Sequence, residues 1–153
     1  MRRRRILHFN VTAHPSAEWT AQQIVEAFPG EGTEPRYLLR DRDSIYGDWF
    51  RRRVAGLGVK EIVTAPQSPW QNPYAERVIE SIRRECLDHL IILGVQHLRS
   101  ILKNYVNYYN VSRPHLSLER NAPVPRSVEP TALGAVVAVP QVGGLHHRYT
   151  RAA

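Results

Sequence analysis

A single cysteine, Cys86, rules out an intramolecular disulfide and cannot by itself build a structural zinc site. Apolar residues fill 42% of the 153 positions, yet no run of them approaches the ~18 residues of a membrane span. Met1 is followed by four arginines with no apolar segment behind them, so a secretory leader is not expected. The expected location is cytoplasmic and nucleoid-associated, with no membrane partner. Acidic residues are the scarce kind, 14 against 21 Lys and Arg, and the net charge of +7 favours a polyanionic partner. Asp41, Asp43, Asp48 and Asp88 are the only aspartates.

The positive charge is clustered. Residues 2–5 are arginines, Arg51, Arg52 and Arg53 form a second group, and Arg83 and Arg84 a third. Neutralising phosphates with such groups gives sequence-tolerant, salt-sensitive binding. The bland alternative is a generically basic soluble protein, which the clustering disfavours.

Hydrophobic periodicity alternates between strand and helix. Residues 5–12 alternate and predict a strand. Ser16 is placed to cap a helix whose apolar side carries Trp19, Ile24, Val25 and Phe28, ended by Pro29-Gly30-Glu31-Gly32. Residues 36–41 predict a short buried strand, and residues 46–57 a helix with Phe50, Val54 and Leu57 inward, stopped by Gly56 and Gly58. Residues 60–65 give a third strand, residues 74–93 a long helix, and another helix runs from about 95 to 109 before an Asn110 turn. Pro123, Pro125, Pro130 and Pro140 then forbid long regular structure. Residues 136–139 predict a lone strand, and residues 143–148 read as a tail in which His146 and His147 are solvated. Strands alternating with helices imply an α/β layered domain. The expected division is 1–129 for the domain and 130–153 for a C-terminal tail.

Two carboxylates stand out within this pattern. Asp41 closes the strand Tyr37-Leu38-Leu39-Arg40, and Glu76 opens the helix after the breaker-rich run from Ala65 to Pro73. A strand-end Asp and a helix-start Glu, one loop-and-helix unit apart, can converge on Mg²⁺. Downstream stands Tyr109-Asn110-Val111-Ser112-Arg113-Pro114-His115-Leu116, followed by Leu118 and Pro123. Together these resemble the integrase core of DDE transposases and retroviral-type integrases over residues 6–129.

That resemblance implies an RNase H-like fold, a mixed sheet flanked by helices. Residues 5–12, 36–41 and 60–65 match its third, fourth and fifth strands, so the chain is expected to be incomplete at its N-terminus. It also implies three metal-binding carboxylates, of which Asp41 matches the second and Glu76 the third; no Asp precedes Asp41 to supply the first. Asp43 competes with Asp41, but Tyr46 lies five residues after Asp41, where the family often has an aromatic. Glu18 is the wrong residue on the wrong element. The implied chemistry is phosphodiester cleavage and strand transfer with Mg²⁺ or Mn²⁺, in which two ions about 3.5–4 Å apart serve nucleophile and leaving oxygen. The implied partners are mobile-element ends and target DNA, with a homo-oligomer in the full-length protein.

Arg51, Arg52, Arg53, Arg77, Arg83 and Arg84 are candidate phosphate contacts, and Gln71 and Asn72 lie in the loop that flexes over DNA in the family. Pro73 stands where relatives have Gly. Arg113 and His115 carry two readings of equal weight, phosphate contacts or a structural turn under the Glu76 helix. Tyr105, Tyr108 and Tyr109 are expected in a core. The leading function is a transposase or integrase fragment that is inactive alone. The alternatives are a non-catalytic DNA-binding remnant and a metal-dependent nuclease, the latter disfavoured by the Arg113-Pro114-His115 signature.

Overall fold

The computed structural model describes residues 5–29 and 32–153; the arginines at 2–4 and the Gly30-Glu31 pair lie outside the described residues. Helices and two small sheets give the mixed α/β class expected from the periodicity. The chain forms two compact units, Leu7–Glu80 and residues 5–6 with Ser81–Ala153.

In the first unit, α1 spans Ala17–Ala27. The Ser16 hydroxyl accepts from the Trp19 N–H and satisfies a donor that the helix itself leaves unpaired. Strand β1 is Tyr37–Arg40, α2 is Asp48–Gly56, and β2 is Lys60–Val63. The two strands run parallel with Leu39 opposite Ile62. Gly58, at φ +69°, makes the left-handed turn that reverses the chain from α2 into β2. The core is Ala21, Phe50, Val54 and Val59, with Ile24, Leu38, Tyr46 and Leu57 packed around it.

Two expectations fail in this unit. Residues 7–12 form no strand: His8 and Asn10 bond to the side chain of Gln23 on α1. Strand β1 is only partly buried, because among the described residues it pairs with β2 alone, and Tyr37 and Leu39 are exposed, as is Ile62. Alternation alone could not reveal how many strands would lie alongside.

In the second unit, α4 spans Val95–Val111 and buries Ile101, Tyr105, Tyr108 and Tyr109. The three tyrosines are core, as expected. Helix α4 runs through Asn110 rather than stopping there, because the Asn110 amide bonds sideways to both the N–H and the C=O of Ile6. Strands β3, Ala135–Gln141, and β4, His146–Ala152, form an antiparallel hairpin. Neither the lone strand nor the tail is observed. Pro140 is tolerated because β3 is an edge strand that needs no outward N–H. Gly134, at φ +103°, sits so close to the Ala152 carbonyl that a Cβ there would collide with it. Helix α3, Pro73–Glu85, crosses the division between the units and ends earlier than the predicted residue 93, giving way to a short 3₁₀ turn at Leu87–His89.

Candidate metal and nucleic-acid site

Strand β1 ends by turning Arg40 inward. Its Nε lies 2.5 Å from Glu61 Oε2 on β2, and its guanidinium covers the rings of Tyr46 and Phe50 at 5.1 and 5.8 Å. Side chains alternate across a strand, so burying Arg40 sends Asp41 outward. Arg40 Nη1 also donates to the Asp41 carbonyl, and Arg42 Nε donates to the Thr64 carbonyl, which fixes the ends of both strands. Sequence reasoning missed this clamp; the bond runs diagonally, since Glu61 stands opposite Leu38 and Arg40 opposite Val63, so register gave no direct signal of it.

The two competing aspartates separate by their bonding. Asp41 Oδ1 accepts from the Asp43 N–H at 3.2 Å. Asp43 Oδ1 instead accepts from the Ile45 N–H at 3.0 Å and from the Ser44 hydroxyl, which makes it a turn-former. Glu76 stands in the first turn of α3, where Pro73 takes the helix-opening position suited to its fixed φ. Asp41, Arg42, Asn72 and Glu76 line one cleft of about 520 Å³ within the first unit, and Asp43 does not line it. Tyr46 also lines this cleft; burial, followed by the charges of Asp41 and Asp43, pushes its hydroxyl pKa up and keeps it protonated. Among the described residues no three His, Cys, Asp or Glu side chains gather as a metal-binding group.

The other candidates are distributed unevenly. The Gln71 side-chain carbonyl accepts from the Ala65 N–H and pins the loop before α3. Arg51, Arg52 and Arg53 are exposed on α2, with Arg51 3.5 Å from Asp48. Arg77, Arg83 and Arg84 are exposed on α3, with Arg83 3.5 Å from Asp88. Such exposed pairs are weak and leave the cations available to phosphates.

Arg113 and His115 both have partners within the second unit. Two guanidinium nitrogens of Arg113 bond to both oxygens of Glu85 at 2.8 and 2.5 Å, and Tyr105 donates to the same carboxylate at 2.9 Å. Burial alone would raise the pKa of Glu85, but the bonds from Arg113 and Tyr105 outweigh it and hold the carboxyl below its usual range. His115 Nε2 donates to the Tyr109 carbonyl, and burial lowers the pKa of this ring. His146, expected in a solvated tail, stacks on Tyr108 at 4.5 Å and bonds to the Glu85 carbonyl at 2.7 Å. The bidentate pair occupies two of the five guanidinium N–H groups and fixes the plane of Arg113.

With Arg113 committed to Glu85, the remaining exposed arginines set the expected salt dependence of duplex binding. If about five of them neutralise phosphates, log affinity falls against log salt with a slope of about −4 to −5. A salt titration by fluorescence anisotropy measures the slope, and a flat response removes these arginines from DNA binding.

Residues 57–123 match the family model described as an integrase core domain. The curated "Insertion element IS476 uncharacterized 39.2 kDa protein" of Xanthomonas euvesicatoria is 30% identical over 89 residues, which are 58% of this chain. The chain spans about a quarter of that relative's length, 26%. No solved structure is significantly similar. The resemblance to integrase cores read from Glu76 and the Arg113-Pro114-His115 signature is thus found independently over the segment that contains both. No described helix is long and apolar enough to cross a membrane.

Proposed function

We propose that the chain supplies part of the catalytic core of a transposase or integrase, of RNase H-like type, that joins a mobile DNA end to target DNA. Asp41 and Glu76 are its metal-binding carboxylates. The supporting observation is their presence on one cleft while Asp43 turns back to its own backbone. The donor set fits a divalent cation: Mg²⁺ prefers oxygen and keeps several waters, so two carboxylates suffice to hold one hydrated ion. When bound, such an ion relieves charge on a phosphodiester and lowers the pKa of an attacking water or hydroxyl. The protein's share is to orient the carboxylates through the Arg40–Glu61 clamp and the first turn of α3. Arg42 adds a cation at the rim, and Tyr46 a protonated hydroxyl.

Mn²⁺ binding, followed by water proton relaxation, tests the assignment. Asp41→Asn and Glu76→Gln are each expected to weaken binding by about tenfold or more, since each removes a charged ligand of a site that has few. Asp43→Asn is expected to leave it unchanged. Equal losses at Asp41 and Asp43 would reverse the assignment. A second reading, a remnant that binds DNA without joining it, is favoured by the lack of a third ligand among the described residues.

A further inference from the structure

The second unit contains a cleft of about 330 Å³ between the loop at residues 119–129 and the β3–β4 hairpin. Its rim is basic and its wall aromatic. Arg120 and Arg126 line it without a side-chain hydrogen bond or ion pair among the described residues. Asn121 holds the loop that carries them, its amide bonding to both the N–H and the C=O of Arg126. The wall is Tyr149, 63% exposed, beside Val136, 59% exposed.

The cleft also contains two carboxylates, Glu119 and Glu129. Glu129 is held in place: the single Thr150 hydroxyl lies within bonding distance of both its oxygens, and Oε2 also accepts from the Arg151 N–H. These bonds, first that from the Arg151 backbone, hold its carboxyl below the usual range. Three arginines, with Arg151, thus line the cleft beside two carboxylates, of which Glu129 is fixed by Thr150 and the Arg151 backbone and also feels the charge of Arg126. Cationic donors, a rigid frame and an open aromatic face with an apolar neighbour are what a nucleotide needs when its base is not stacked in a duplex. The volume falls in the range of small-ligand sites.

We propose that this cleft binds an unstacked nucleotide of single-stranded DNA, its phosphate held by Arg120 and Arg126 and its base laid on Tyr149. The proposal rests on the DNA-joining reading and names a contact that reading does not require. A strand unpaired at a DNA end would be such an occupant.

The test compares a labelled oligothymidylate with a duplex of equal length, each titrated by fluorescence anisotropy with the full chain and its variants. Tyr149→Ala is expected to weaken single-strand binding by about 5- to 100-fold, the span of one lost base–aromatic stack. It should leave duplex binding unchanged, whereas Tyr149→Phe keeps the ring and retains single-strand affinity. Because Tyr149 is exposed, its truncation leaves the core intact, and circular dichroism verifies this. Arg120→Ala gives an independent arm, with a loss of single-strand affinity and a shallower salt slope. Unchanged oligothymidylate binding in Tyr149→Ala and Arg120→Ala, with the duplex still bound, overturns the proposal alone. Failure to bind either DNA overturns the DNA-joining reading with it.

Discussion

Incubated with Mg²⁺ or Mn²⁺ and a duplex carrying a mobile-element end, the 153-residue chain is expected to give no joined product. Asp41 and Glu76 share a cleft, but no third metal ligand stands with them among the described residues. Reacting groups must lie within a few tenths of an ångström of productive geometry, and displacement by about 1 Å costs on the order of 100-fold in rate. Loss of a whole ligand is a larger defect than that. Gel electrophoresis of end-labelled DNA provides the readout, beside a longer polypeptide that supplies a further carboxylate. Joining by residues 1–153 alone would mean that Glu18 or Asp43 completes the cage. For Asp43 that requires surrendering its bond to the Ile45 N–H.

The second large effect is expected at Arg113, and it concerns stability. Arg113→Ala leaves Glu85 charged, half-buried and deprived of its two guanidinium bonds. Removing one partner of a buried pair costs about 3–5 kcal/mol, reduced here to about 2–3 kcal/mol because both side chains keep roughly a quarter of their exposure. Arg113→Lys recovers only part of this, since an ammonium cannot match the carboxylate with a planar fork. Urea denaturation of the second unit gives the difference. Its pH dependence has a definite sign. Glu85 has a folded pKa below its unfolded value, so its stabilisation is present above the ordinary carboxylate range and is lost as acid titrates it in the folded state. In the Arg113→Ala variant this acid-side loss should flatten. A variant as stable as the parent chain would show that the pair is only incidental to the fold.

The sequence carried most of the local structure, for a physical reason. Ser16 as a cap, and Phe50 and Val54 on the inner face of α2, are decided within a few residues, where propensity and periodicity operate. The placement of Asp41 just after β1 and of Glu76 in the first turn of α3 was legible because strand ends and helix starts have strong local markers. What stayed hidden depended on distant partners. The pairing of β3 with β4 was obscured by Pro140 and by a Gly-rich turn that resembled a tail. Arg113 gave no sign of Glu85, 28 residues away, because an ion pair leaves no periodic trace. Residues 5–12 show the converse failure: alternation predicted a strand, but a strand exists only where another backbone accepts its hydrogen bonds.

The outward face of the β1–β2 pair has a consequence for life inside a cell. Parallel strands are ordinarily covered on both sides, yet here Tyr37, Leu39 and Ile62 present an apolar strip to water. Molecular chaperones and quality-control proteases recognise such strips. Covering that strip is therefore expected to lengthen the lifetime of the polypeptide, which pulse-chase measurement would read.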